Sequence, residues 1–239
     1  MPNGSMRVIA AMARKGGSGK TTLTRALISA AVAAGRRVTI VDADSTGVLS
    51  TWHHRAEARD YGSPLLHLVE VQSVAAIERE IDRLYEEDLT DFVFIDTAGV
   101  GAEWSDSVAV LADHLVTPVM LSTSDFDVGE QTALWFEKLA TRVDDPAALP
   151  RHHVVLNMVE SKTTKADAAL IQRAIQRFPV VETVMMRRNA YKDMDEKGLL
   201  HAIALERQND PNPLMKPHVR PVVEALEEAM DILNAIIAE

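Results

Sequence analysis

The sequence predicts an α/β fold in which helices cover both faces of a mostly parallel, doubly wound sheet within a single domain. Three observations lead there. Runs such as Val8–Ala13, Arg37–Val41 and Phe92–Ile95 are short and dominated by apolar residues, as expected of strands buried on both faces. Longer segments between them carry apolar residues at helical spacing; in Val74–Glu87, Ile77, Ile81 and Leu84 share one side and acids fill the other. Strand and helix alternate along 239 residues, enough chain to bury one large core.

Val8–Ala13 is the first strand. It runs into Arg14-Lys15-Gly16-Gly17-Ser18-Gly19-Lys20-Thr21-Thr22, after which Leu23–Ala34 reads as a helix stopped by Gly35 as a C-cap. Strand, glycine-rich turn and helix in that order form a phosphate-binding loop, or P-loop. Gly16, Gly17 and Gly19, with Ser18 and Thr22 among them, let backbone N–H groups close around phosphate oxygens, and the helix start adds partial positive charge. Lys20 can reach the β- and γ-phosphates, and the Thr21 hydroxyl can ligate Mg²⁺. A flexible glycine linker is the bland alternative, and the Lys-Thr ending with its flanking elements argues against it.

Arg37–Val41 is the second strand and ends in Asp42-Ala43-Asp44-Ser45-Thr46-Gly47. A helix begins at Trp52 and continues to Arg59, Leu65–Val71 forms a short strand, and Val74–Glu87 is a helix. Phe92–Ile95 is a strand ending at Asp96. Val108–Leu111 suggests a short helix, His114–Met120 a strand, Glu130–Arg142 a helix, and Asp144–Pro150 a loop. Val154–Met158 is another buried strand and Thr164–Phe178 another helix. The last helix, Pro217–Ile237, has an apolar stripe of Val222, Leu226, Met230, Leu233 and Ile237. Glu224, Glu227, Glu228 and Asp231 occupy its polar face, which anionic lipid would repel, so packing on its own domain is expected. No repeat or linker divides the chain. Residues 6–239 read as one domain, and Met1–Ser5 as a remnant ahead of a natural start at Met6.

Composition narrows the chemistry. With no cysteine, disulfides, zinc–thiolate sites and Cys-ligated iron–sulfur clusters are excluded. No apolar run is long enough to span a bilayer and no signal peptide stands out, so a cytoplasmic protein without a membrane partner is expected. The net charge of -10 argues against a large uniform DNA-binding surface while leaving room for a local basic patch. Ligands of such sheets bind at the carboxyl ends of strands, where Asp42, Asp44 and Asp96 all fall. Asp96 follows four apolar residues, the Walker B arrangement, and would hold Mg²⁺ through a water. Any one of these acids alone could simply cap a turn; three together with a P-loop point to chemistry.

The loop departs from the general pattern, with Arg14 where the first glycine is expected and Lys15 directly after it. Lys15-Gly16-Gly17-Ser18-Gly19-Lys20-Thr21 resembles the deviant Walker A motif of the ParA/MinD group of ATPases. That resemblance implies that Lys15 crosses a dimer interface to the partner's nucleotide, which makes Lys15, Lys20 and Asp44 the catalytic set. Asp42-Ala43-Asp44 resembles the Asp-x-Asp signature of the ParA group, implying that Asp42 supports the metal shell with Thr21 and Asp96 while Asp44 orients the attacking water. Pro118-Val119-Met120-Leu121-Ser122-Thr123-Ser124-Asp125 matches the family's P-x-x-x-S-x-x-D segment. Asn157 matches the asparagine that reads adenine through its amide; a buried, hydrogen-bonded asparagine is the other reading. Arg187-Arg188-Asn189-Ala190-Tyr191-Lys192, with Gly198 beyond, resembles the family's Arg-rich turn and helix. The likeness runs from Val8 to Gly198. Ser45-Thr46 departs from the usual Pro-Gln, and Leu199–Pro217, with its Asn209-Asp210-Pro211-Asn212-Pro213 turn, looks more like the tail of the VirC-type ATPases that assist T-DNA transfer. No helix-turn-helix domain precedes the loop, so direct operator binding is not expected.

The resemblance implies a slow, Mg²⁺-dependent ATPase that forms a homodimer around two ATP molecules and binds DNA non-specifically. Its role would be partitioning or positioning of plasmid, chromosomal or transferred DNA, with association to the nucleoid when ATP-bound. A ParB-like or other adaptor would stimulate hydrolysis. Arg187, Arg188 and Lys192 are the DNA-binding candidates, to which Arg173 or Arg220 could add. A solvated patch, or an arginine closing the adenine pocket, are the competing readings of that cluster. At the level of function the alternatives are a positioning ATPase for a protein-cluster cargo, a MinD-like membrane-cycling ATPase, a metabolic enzyme with a related loop such as a dethiobiotin synthetase, and a non-hydrolysing scaffold.

Overall fold

Side chains of the central strands alternate between two cores, which is why these segments carry so little polar surface. The structure, a computed structural model, describes residues 5–14, 17–44, 46–71, 73–97 and 104–238. Its strands are β1 (Arg7–Ala11), β2 (Val38–Asp42), β3 (Leu66–Glu70), β4 (Phe92–Asp96), β5 (His114–Met120) and β6 (Arg151–Asn157). The helices are α1 (Lys20–Ala33), α2 (Val48–Ala58), α3 (Val74–Glu86), α4 (Ser105–Leu111), α5 (Thr123–Ala140), α6 (Lys165–Arg177), α7 (Asn189–Lys197), α8 (Leu200–Asn209) and α9 (Val219–Ile237). All strand pairs are parallel, in the order β3-β2-β4-β1-β5-β6. Ile9, Val38, Ile40, Phe92 and Phe94 face one core with α1, α2, α7, α8 and α9. Val8, Ala10, Val41, Val93 and Ile95 face the other, under α3, α4 and part of α5. A third cluster, around Phe126, Val154, Leu156 and Phe178, seals the β5–β6 edge beneath α5 and α6. The single α/β domain with a doubly wound parallel sheet is thus observed.

Differences from the expected elements have local causes. α5 begins well before Glu130 because Ser122 caps it: the Asp125 N–H donates to the Ser122 hydroxyl at 3.1 Å, and that hydroxyl donates back to the Asp125 carboxylate at 2.6 Å. α2 likewise starts at Val48 rather than Trp52, after Gly47 in the left-handed region (φ 58°). α8 fills the stretch after Leu199 that had no assigned structure, and its apolar residues form no clean stripe, since Leu205 is 58% exposed. α9 buries Val222, Ala225, Ala229, Ile232, Leu233 and Ile236 against α1 and α8. Its expected polar face holds one surprise, the buried Glu228. Among the described residues no helix is long and apolar enough to cross a membrane.

Candidate active site

β1 sits at the centre of the sheet, between β4 and β5, where the strand order reverses, and its carboxyl end delivers the chain into the phosphate loop. Lys15 and Gly16 lie outside the described residues. Gly17 and Gly19 take φ of 86° and 89°, a region that side chains disfavour. At Gly19 space decides as well: a Cβ there would lie 2.1 Å from the Asn157 amide nitrogen. Lys20 opens α1 with Thr21 and Thr22 in its first turn, all three half-buried, while Ser18 is buried. The helix start thus aims its unpaired N–H groups at the end of the sheet.

The carboxylates converge there because of strand register. β2 and β4 are neighbours, and Asp42 pairs directly with Asp96. Thr21 Oγ1 donates to Asp96 Oδ2 at 3.3 Å, so the two expected metal ligands meet. Asp96 is 2% exposed, and burial first, then the charge of Asp42, push its pKa up to about 6; Asp44 adds to the rise, while Lys20 and the Thr21 hydrogen bond oppose it. Asp96 Oδ1 has no hydrogen-bond partner among the described residues; neither do the buried hydroxyls of Ser18 and Thr97. Buried polar atoms left in this way fit a site built for a bound cation and anion. Among the described residues no group of three or more His, Asp or Glu could hold a metal, and Mg²⁺ commonly completes its shell with waters and substrate phosphates.

Asp42 and Asp44 divide their duties. Asp42 is buried, and its Oδ2 accepts from the Ser50 N–H at 2.7 Å and the Ser50 hydroxyl at 2.6 Å. Its Oδ1 accepts from the Asp44 N–H at 3.2 Å. With those lone pairs occupied, Asp42 suits an indirect part in a metal shell, fixing the loop that carries Asp44. Asp44 is half-buried; its Oδ1 accepts from the N–H and hydroxyl of Thr46 at 2.9 and 2.8 Å. The departure from Pro-Gln therefore supplies a local clamp on the carboxylate through Thr46. Asp44 borders a cleft of about 400 Å³ together with Gly47, Glu70 and Trp104.

Asn157 ends β6 fully buried, and its amide donates to the Ser18 carbonyl at 2.9 Å. It braces the back of the phosphate loop, and its Oδ1 has no partner among the described residues. The basic cluster does not form a set of three free cations. Arg188 donates to Glu228 through Nε and Nη2 (3.1 and 3.0 Å) and to Glu224 through Nη1 (3.1 Å). Its guanidinium is thus engaged by two carboxylates of α9, and the side chain is 25% exposed. Arg187 is 58% exposed and pairs with Glu160 at 2.6 Å, and Lys192 is exposed. Arg173 lies over the Phe126 ring at 3.9 Å, and Arg220 pairs with Glu224 at 2.7 Å. Sequence reasoning missed Ser50 and Glu228. Thr46, two residues after Asp44, was readable as an Asx-type clamp; Glu228 carried no signal, because its partners lie on other elements.

The sequence profile of the VirC1 protein family matches residues 6–239. The chain belongs to the VirC1 family. Protein virC1 of Rhizobium radiobacter is 26% identical over 233 residues, which cover 97% of each chain. Among solved structures, pnob8 ParA superposes with a TM-score of 0.66 at 15% identity, covering 97% of this chain and 98% of that one. The septum site-determining protein MinD complexed with Mg-ADP from Pyrococcus horikoshii gives 0.61 at 16% identity, covering 93% and 95%. At these identities the solved structures share the fold. VirC1 family membership, with the deviant Walker A loop, makes the chain a ParA-type ATPase by family.

Proposed function

We propose that this VirC1-family chain hydrolyses ATP with Mg²⁺ and works as a dimeric switch that carries DNA. The observation that carries the reading is the meeting of Thr21, Asp42, Asp44 and Asp96 at the phosphate loop, through the register of β2 and β4. Loop N–H groups and Lys20 bind the β- and γ-phosphates and stabilise charge that develops on them. Thr21 and Asp96 would hold Mg²⁺, which when bound neutralises phosphate oxygens. Asp44, clamped by Thr46, orients the attacking water. Lys15 reaches the nucleotide of a second copy, closing an isologous dimer around two ATP molecules. The MinD neighbour's Mg-ADP supports the choice of ligands. The dimer's lifetime is the useful output, so hydrolysis is slow and set by an adaptor, and the dimer holds non-specific DNA for partitioning or transfer.

The test separates binding from chemistry. Asp44→Ala is expected to bind Mg-ATP and dimerise while turnover falls by about a hundredfold or more, the size usual for loss of one positioned catalytic group. Sedimentation with ATP should show Lys15→Ala as monomer where Asp44→Ala is dimer. Wild-type turnover in Asp44→Ala, or a stable ATP dimer of Lys15→Ala, removes the assigned role.

A further inference from the structure

Arg25 lies on α1 directly behind the phosphate loop, with its side chain only 5% exposed. Burial lowers its pKa, Asp195 opposes that, and Asp96 is among the other charges acting on it. An apolar residue of similar volume usually serves stability equally well at such a position. What the guanidinium adds is a junction. Nη2 donates to the carbonyl of Val48, the first residue of α2, at 3.1 Å. Nη1 pairs with Asp195 on α7, and the group lies over the Trp52 ring, 5.4 Å from its centroid. Val48 directly follows the Asp42–Gly47 segment that carries Asp44, and Ser50 in the same turn is tied to Asp42.

The seam continues beyond Arg25. Trp52 Nε1 donates to the Met194 carbonyl at 2.8 Å, and the Leu199 N–H donates to the Tyr61 carbonyl at 3.0 Å. The Leu200 N–H donates to the Ser29 hydroxyl at 3.3 Å, joining α8 to α1. At Gly198, φ is +146° and a Cβ would lie 2.7 Å from the Cβ atoms of Ala56 and Tyr61. The end of α7 therefore sits flush on α2.

We infer that Arg25 is a positioning residue: it fixes the start of α2, and so Asp44, relative to the phosphate loop, and passes movement of that start to α7 and α8. The inference rests on the nucleotide-hydrolysing reading of the site. A ligand that engages Asp44 pulls on the first turn of α2, and the Arg25–Asp195 pair transmits the change to a surface distant from the phosphates.

Hydrogen exchange of residues 189–209, with and without Mg-ATP, tests it. Wild type is expected to gain protection there with ATP. Arg25→Met, an apolar chain of similar length, is expected to lose that ATP-dependent difference, and its turnover to fall roughly tenfold or more with KM unchanged. A purely structural role would raise exchange equally in both states. If Arg25→Met does not fold, Asp195→Asn reads the same link from a carboxylate that is 61% exposed, and should also lose the difference. Retention of the difference in either folded variant overturns the inference. A wild type that hydrolyses ATP without protecting 189–209 overturns it and leaves the ATPase standing; a wild type that does not bind ATP brings down both.

Discussion

A carboxylate sealed from water opposes folding, and Asp96 is in that position, with Lys20 only partly offsetting its burial. Its pKa of about 6 lies above the unfolded value of 3.8. The ionised group is therefore unfavourable above pH 6, and lowering the pH from 6 towards 3.8 relieves it. At 1.36 kcal/mol per unit, the shift amounts to roughly 2–3 kcal/mol. Asp96→Asn should accordingly raise the melting temperature of the nucleotide-free protein at pH 7.5 and abolish the further rise given by Mg-ATP. Calorimetry with and without Mg-ATP reads both; a variant less stable than wild type without nucleotide would contradict the argument. Residues of this kind were legible in the sequence because strand ends and a glycine loop announce themselves locally. Ser50 was not, since a serine inside a helix signals nothing until β2 places Asp42 beside it.

At the scale of elements, α9 docks through a polar cluster as well as an apolar stripe. Glu228 accepts from Arg188, from the Tyr191 hydroxyl at 2.7 Å and from the Met186 N–H at 2.9 Å. Arg188→Ala would leave that carboxylate buried without its cation, at a cost of about 3 kcal/mol, seen as a fall in denaturation midpoint. Unchanged stability would show the pair to be dispensable. The β5–β6 pair carries a pH response. His152 meets the Thr117 hydroxyl at 2.9 Å, and burial, with His153 beside it, holds its pKa at about 4. The folded value lies below the unfolded 6.5, so this stability is complete above pH 6.5 and is lost as pH falls towards 4. His152→Gln should flatten the dependence of melting temperature on pH in that window; an unaltered slope would clear His152 of the effect. The sequence suggested both strands by their apolar runs, whereas the α8 helix and the Arg188 pairing depended on contacts between distant segments.

For the whole molecule, a net charge of -10 sets the terms for the proposed DNA binding. With Arg188 engaged by Glu224 and Glu228, Arg187 and Lys192 remain as the more exposed cations of their cluster, and Glu160 partly offsets the first. Binding to random duplex by the ATP form is expected to fall steeply with salt, at a slope near -0.9 per phosphate contact. Arg187→Ala with Lys192→Ala should make that slope shallower without moving the melting temperature. No change in DNA retention for this pair would place the DNA surface elsewhere.

The sheet order also governs how the chain is made. β1 belongs between β4 and β5, which are translated much later. At about 5–20 residues per second, the first strand waits roughly 4–20 s for its neighbours, and α1 waits longer still for α9. The nascent phosphate loop therefore leaves the ribosome without a scaffold. A chain released before β5 is translated would display apolar segments to holdase chaperones and capture no nucleotide.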